Sequence, residues 1–411
     1  MRFVQLAGRG FFPLDEELAL LPGKLTPREH ERLVRLSGWL AFERAAELLE
    51  EFLGIVVDKS MAQRYTETAG AIYVQMQEEE VIQLEREMPE AAAGAEKMQI
   101  SADGAMVPLL HGIWAEVRTL VIGEVEASKG EQGEGEVHAR NLSYFSRKVN
   151  AQEFQRQALV EVQRRGVENA KEVAAVMDGA DWEQNFIDFH CPQAVRILDF
   201  AHAAQHINPI GEHLHGEHTP ESQAWLKERL HLLKHEGPDA ILNEFEALQR
   251  KHPDIQVISS NLAYLKKRKA QLQYPLFQAQ GWPIGSGIVE SGNKLVVEAR
   301  LKGAGMHWSE AHVNPMLALR NILCSNRWKK EWPKIEARLR KQTRQRQKSV
   351  YKKHHPPQPT TLVARALQGD FGVPLPEQAV QETVSTKPKK NPWRNFKHGK
   401  ALYQRPSPPK I

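Results

Sequence analysis

Two periods of hydrophobic and polar residues run along this chain, and the change between them divides it. From residue 26 to about residue 87 the apolar positions recur at helical spacing. Thr26-Pro27-Arg28-Glu29 predicts a helix start, with Thr as N-cap, Pro at the first helical position and Glu placed for a capping box. A second helix is expected from about Phe42 to Phe52, broken by Gly54 and followed by the apolar turn Ile55-Val56-Val57. Ser60 is a candidate start for a third helix, Met61 to Ala69. Residues 71–97 are Glu-rich and read as a further helix entering a Pro89–Ala95 linker, a domain boundary.

At Met98 the period falls to two. Met98–Gly104 predicts a short strand ending in Asp103-Gly104, and Val117–Val125 a second. A Gly/Glu-rich loop covers 128–137, and Tyr144-Phe145 belongs to a third strand. A helix is expected over Ala151–Arg165, with Phe154, Leu159 and Val162 apolar. Glu172–Met177 is a buried strand ending in Asp178-Gly179. A helix follows from about Trp182 to Phe189, and then a buried strand, Ala194–Leu198, ending in Asp199. The order β-β-(β)-α-β-α-β predicts an α/β fold, an RNase H-like mixed sheet with flanking helices. Three helices, Glu221–Lys234, Pro238–Lys251 and Ser260–Gln273, make residues 203–280 an all-helical insertion. Residues 281–326 resume the fold. There Pro283 and the glycines 281, 285 and 287 lead to Ser286 as N-cap of a helix of about four turns, stopped at Gly303. Glu290 sits in its first turn, one turn before Lys294. A second helix covers about Ser309 to Ser325.

Composition narrows the class. At 411 residues the chain is long enough for two or three domains. No apolar run approaches the roughly 20 residues of a membrane span, and the N-terminus lacks a signal-peptide pattern. Cys191 and Cys324 form no framework, and a reducing cytoplasm fits. The net charge of +4 is unevenly placed. Arg327 to His355 holds twelve Lys or Arg against Glu331 and Glu336, with Trp328, Trp332 and Tyr351 interleaved. That density points to phosphate-backbone contact, with Arg338, Arg340 and Lys341 among the contacts, or else to a solvated tail. Residues 356–411 are Pro-rich and read as a disordered tail. Residues 26–97 resemble a helix-turn-helix DNA-binding unit with Lys59, Gln63 and Arg64 on the recognition helix, though any small three-helix bundle would carry the same pattern.

Three acids fall at strand ends or at the head of the late helix: Asp103, Asp178 and Glu290, with Asp199 ending a fourth element. Converging carboxylates repel one another unless cations neutralise them. An all-oxygen set suits Mg²⁺ or Mn²⁺, and two such ions about 4 Å apart serve phosphodiester chemistry. Asp103-Gly104 and Asp178-Gly179 are equally readable as plain Asp-Gly turns.

Four segments carry a resemblance. They are Ser101-Ala102-Asp103-Gly104-Ala105-Met106-Val107-Pro108 with Trp114-Ala115-Glu116-Val117, Met177-Asp178-Gly179-Ala180-Asp181-Trp182, Ile197-Leu198-Asp199-Phe200-Ala201-His202, and Ile284–Ser291 running on to Lys302–Trp308. Together they resemble an ISKra-type insertion-sequence transposase of the DDE superfamily, over roughly residues 7 to 330. The resemblance implies metal-dependent strand cleavage at transposon ends, strand transfer into target double-stranded DNA, two Mg²⁺ or Mn²⁺ ions, and a synaptic homodimer or larger assembly. It would act in a bacterial cytoplasm, at the nucleoid. Asp103 would be the first acid and Glu290 the last. The second is Asp178 or Asp199, with Asp178 preferred because it ends the strand after the long helix. Asp199-Phe200-Ala201-His202 would then be a D-x-x-H analogue of a C-x-x-H motif, with His202 supporting the site. Lys294, Arg300 and Lys302 become candidate phosphate contacts. Relatives often carry a Cys-x-x-Cys element where Val4 and Ala7 stand here, so residues 1–25 are expected to be a remnant of an N-terminal zinc module. Two other functions fit the same residues: a catalytically silent DNA-binding remnant that represses its element, and an RNase H-like nuclease without strand transfer.

Overall fold

The computed structural model describes residues 4–6, 9–11, 25–87, 89–129 and 135–354. The proposed tail, 356–411, lies outside the described residues, as do Ala7 and the tip of the Gly/Glu-rich loop. β1 (Val4–Leu6) and β2 (Arg9–Phe11) pair antiparallel. Thr26 and Glu29 exchange the two capping-box hydrogen bonds that open α1 (Pro27–Trp39). α2 (Phe42–Leu53) ends at Gly54, whose φ of 65° is the left-handed stop that glycine adopts without strain. The third and fourth helices expected from the sequence are one, α3 (Lys59–Glu87). Nothing between Ala69 and Glu87 breaks it, and Asp58 rather than Ser60 caps it, accepting from the Met61 amide at 2.8 Å.

Among the described residues the main sheet has five strands: β3 (Lys97–Pro108), β4 (Trp114–Lys129), β5 (Gly135–Arg147), β6 (Glu172–Met177) and β7 (Val195–Leu198). Their order is β5-β4-β3-β6-β7. The β3–β4 and β4–β5 pairs are antiparallel, and β3–β6 and β6–β7 are parallel. α4 (Ala151–Arg165) and α5 (Asp181–His190) supply the crossovers to β6 and β7. The fold is therefore mixed α/β.

Period two sorts the strands between two cores. Met98, Ile100 and Ala102 of β3 join Leu120, Ile122, Val173 and Ala175 under Phe154 of α4 and Phe186 of α5. Ala105, Val107, Val117 and Val121 point the other way, under the segment 287–301 and α13 (Glu310–Cys324). Ala174, Val176 and Ile197, also on that second face, meet the helices α6 (Phe200–His215), α7 (Pro220–His235), α8 (Asp239–Lys251), α9 (Gln256–Lys267) and α10 (Tyr274–Ala279). The segment 203–280 is thus helical as expected, with α6 in addition.

β3, β4 and β5 are longer than the sequence suggested, whereas β6 has the expected bounds and β7 starts one residue later. β3 runs five residues past Asp103, so Asp103-Gly104 is no turn: Gly104 pairs with Arg118, and the turn lies beyond Pro108. The late helix is also not a uniform four turns. It is α11 (Gly287–Gly292), a π-helical stretch Asn293–Glu298, and α12 (Ala299–Leu301), and Ser286 makes no side-chain cap. A π turn loosens backbone pairing. Buried Arg320 compensates, donating to the carbonyls of Val296 at 3.2 Å and of Leu295.

The described residues up to 346 form one compact unit, so 26–97 is not a body of its own. Val34, Ala69, Ile72 and Tyr73 share a core with Ala318, Ile322, Trp328, Trp332, Ile335 and Leu339. The last four belong to α14 (Trp328–His354). Trp328 and Trp332, stacked at 5.0 Å between ring centres, are core residues. The basic run is accordingly a packed helix with a basic outer face, at least as far as Leu339. Beyond 346 the described residues are 347–354, the helical end of α14.

Candidate functional site

β3 and β6 run parallel in register, Ile100 opposite Ala175. Three residues further on, Asp103 is still within β3, on the face opposite the Ile100 core, and Asp178 lies just past the last residue of β6. β3 and β6 are neighbours in the sheet, and the two acids come near enough for the charge of one to act on the other. Burial, followed by the Asp178 charge, pushes the Asp103 pKa above the usual carboxylate range. Burial, followed by the Asp199 charge, does the same to Asp178. Asp103 Oδ1 accepts from the Gly104 amide at 2.6 Å, and Oδ2 from Asn293 Nδ2 at 2.9 Å.

Asp178 is held through its backbone. Tyr264 Oη donates to the Asp178 carbonyl at 2.5 Å, and buried Arg268 donates to the Gly179 carbonyl from Nε at 3.1 Å and from a second nitrogen. Gly179 has a φ of 79°, a left-handed conformation that brings the chain against the Arg268 side chain. Arg268 Cζ lies 3.7 Å from the Tyr264 ring centre, and the His206 ring stacks on the same tyrosine at 3.6 Å. α9 and the turn after it thus grip the acid-bearing loop. His202 Nδ1 stands 3.6 Å from Asp178 Oδ2, and burial lowers its pKa.

Asp199 has a different task. It is 7% exposed and both its oxygens are spent on backbone amides. Oδ2 caps α6 by accepting from the His202 amide at 2.9 Å, and Oδ1 accepts from the Ser286 amide at 2.8 Å, tying α6 to the segment that leads into α11. Between the two aspartates left open by the sequence, Asp178 is the one with a carboxylate free of such bonds.

Glu290 is not drawn to the pair. Its side chain is 68% exposed and bonded to Lys294 at 2.6 Å, which holds its pKa below the ordinary value. Among the described residues no three His, Cys, Asp or Glu side chains gather closely enough to hold a metal ion. Glu290 nevertheless lies one turn before Asn293, the residue that reaches Asp103. Gly292 makes this approach close: a Cβ there would stand 2.7 Å from Val121 Cγ2 and 3.3 Å from the Tyr144 ring.

The expected phosphate contacts divide. Lys294 is exposed, and Lys302 is partly exposed and paired with Glu298 at 2.7 Å. Arg300 is a correction: at 2% exposure its guanidinium donates to the Ser37 carbonyl and lies over Phe42 and Trp308, with no surface for a phosphate. Lys59 and Arg64 are exposed, Lys59 beside Glu43 at 3.7 Å, whereas Gln63 is half-buried and bonded to Glu67 at 2.9 Å. On α14, Arg338 pairs with Glu79 and Arg340 with Glu336, and Lys341 is exposed.

Four residues near the acids were not singled out from the sequence: Asn293, Tyr264, Arg268 and Glu183. Glu183 is buried, accepts from the Gly179 and Ala180 amides, and has its pKa pushed up to about 8 by burial and by the charges of Asp178 and Asp103. The residue three before it is Ala180, which has no polar side chain to cap with, so no capping-box signature marked Glu183. Tyr264 and Arg268 meet the loop only through tertiary packing and had none.

No family model matches the chain, and no curated protein matches it. Among the described residues no helix is long and apolar enough to cross a membrane.

Proposed function

We propose that this chain is a metal-dependent DNA transposase with an RNase H-like catalytic fold of the DDE class. The observation that carries the reading is the approach of Asp103, in β3, and Asp178, just past the end of the adjacent parallel strand β6, each with a raised pKa. Two half-buried carboxylates near each other are repulsive until a cation or proton joins them. Their oxygens suit a hard divalent ion, so Asp103 and Asp178 would hold Mg²⁺ or Mn²⁺, with Glu290 as third acid. Such ions, when bound, supply an activated water or hydroxyl and stabilise the leaving oxygen of a phosphodiester. The exposed Glu290–Lys294 pair is of the weak surface kind, and a cation or a DNA phosphate can compete for its two members. The strand order β5-β4-β3-β6-β7, with crossover helices and a helical insertion after β7, supports an RNase H-like fold. α1 to α3 form the helix-turn-helix-like unit, with Lys59 and Arg64 toward double-stranded DNA and α14 adding phosphate contacts through Lys341.

A second reading has its own support. Glu290, turned to Lys294 and away from the aspartates, fits a DNA-binding remnant without catalysis. One experiment separates the readings. Purified protein is incubated with DNA carrying the sequences that flank its gene, with Mg²⁺ or Mn²⁺. Strand nicks leaving 3′-hydroxyls, followed by joined products, are expected, and Asp103→Ala should bind DNA without nicking. Nicks without joining favour a nuclease. A wild-type protein that binds and nicks with neither ion overturns the enzyme.

A further inference from the structure

Asn293 is 6% exposed, and its two side-chain polar atoms are treated unequally. Nδ2 donates to Asp103 Oδ2 at 2.9 Å, whereas Oδ1 is buried with no hydrogen-bond partner among the described residues. The amide orientation follows from the chemistry: an ionised carboxylate only accepts, so the NH₂ group faces it. A buried carbonyl oxygen left unpaired is costly, and native proteins seldom keep one without an occupant to satisfy it. The occupant must be a donor or a cation. The surroundings favour the cation, because Asp103, which Asn293 touches, and the nearby Asp178 already gather carboxylate oxygens there.

Distance permits it. By covalent geometry an amide oxygen lies at most about 2.5 Å from its own nitrogen, so Oδ1 is within roughly 5.5 Å of Asp103 Oδ2. Two ligands of one octahedral Mg²⁺ or Mn²⁺ are about 3 to 4 Å apart, and Asn carbonyls are ordinary ligands of hard cations. The π-helical stretch beginning at Asn293 and the close seat of Gly292 on Val121 deliver this side chain to β3.

Resting on the transposase reading of the acid pair, we infer that Asn293 is an additional cation ligand of that site. Its Nδ2 fixes the Asp103 carboxylate, and its Oδ1 contributes a neutral oxygen to the ion. The test is Mn²⁺ binding, by titration calorimetry or by loss of the free-ion electron paramagnetic resonance signal, in the metal-free full-length protein. Three variants are compared with wild type: Asn293→Leu, Asn293→Asp and Asp103→Ala, each first checked for an unchanged fold by circular dichroism. Removing a residue that supports a metal site typically weakens affinity by about 10- to 100-fold. Asn293→Leu, which removes both functions, should therefore bind Mn²⁺ at least tenfold more weakly. Asn293→Asp keeps an oxygen ligand and loses the donor, and should bind at least as tightly as wild type. An unchanged affinity in Asn293→Leu overturns the inference, and so does an Asn293→Asp as weak as Asn293→Leu, because Asn293 would then only orient Asp103. If Asp103→Ala loses Mn²⁺ while Asn293→Leu does not, the inference fails alone. If the wild type binds no Mn²⁺, or Asp103→Ala binds it normally, the acid-pair reading fails with it.

Discussion

Asp178 and Asp199 each follow a buried strand, yet their removal should move stability in opposite directions. Asp199→Ala takes away an N-cap, worth about 1 kcal/mol and up to about 2. It also strands the Ser286 amide, at about 1 to 2 kcal/mol for a partly buried donor. The expected loss is about 2 to 4 kcal/mol. At roughly 2 °C per kcal/mol in a chain this long, the Tm should fall by about 4 to 8 °C. Asp178→Asn removes a charge that burial and Asp199 disfavour, so its Tm should stay level or rise. It keeps the backbone carbonyl that Tyr264 grips. Thermal unfolding of the three proteins at pH 7, followed by circular dichroism, gives the comparison, and DNA nicking measured well below each Tm completes it. Asp178→Asn should be stable and inactive, whereas Asp199→Ala should be unstable with activity surviving in its folded fraction. An Asp199→Ala protein as stable as wild type would refute the assignment of its carboxylate to capping. An Asp178→Asn protein destabilised as much as Asp199→Ala would refute the freedom ascribed to the other.

Other consequences are equally direct. His30 is buried against Tyr65 and Trp332, has no hydrogen-bond partner on either nitrogen among the described residues, and has its pKa lowered by burial to about 4. The unfolded chain therefore takes up its proton first, and stability is lost as pH falls through 6.5 toward 4, by about 2 kcal/mol at pH 5. Urea unfolding should show a shallower loss between pH 7 and 5 in His30→Leu, and an unchanged slope would count against the burial argument. Arg268→Met frees the Gly179 carbonyl and should slow nicking by at least about tenfold, as misplacement of an acid does. A wild-type rate would mean that the grip is idle. Gly292→Ala must push α11 off Val121 and Tyr144, at about 1 to 3 kcal/mol. Denaturant midpoints should register the change, and no shift would mean that the helix is free to move.

Legibility followed the range of the forces involved. The strands, α4, α5 and the capping box at Thr26 came out of period and local chemistry, because each is decided within a few residues. Asp103 was found, but as the end of a short strand. Its strand continues because Ala105 and Val107 have partners on a neighbouring strand and on helices nearly two hundred residues later. Arg300 is a candidate phosphate contact in the sequence because it follows Glu290 in the proposed site. Only the tertiary contact with Ser37 and Phe42 buries it. The Asp178–Asp199 ambiguity had the same origin: both follow buried strands, and the Ser286 amide that occupies Asp199 comes from 87 residues further along the chain. The π-helical stretch has no local signature here, since its freed carbonyls are answered by Arg320 of another helix.

The shared core of α1, α3, α13 and α14 also bears on how the chain is made. Val34, Ile72 and Tyr73 leave the ribosome early, but the tryptophans that cover them, Trp328 and Trp332, come some 260 to 300 positions later in the sequence. At about 5 to 20 residues per second, the nascent N-terminal helices wait roughly 15 to 60 seconds with an apolar flank uncovered. During synthesis that flank is a natural place for a chaperone to hold. A message cut short before codon 328 would release a product with its first helices permanently bare.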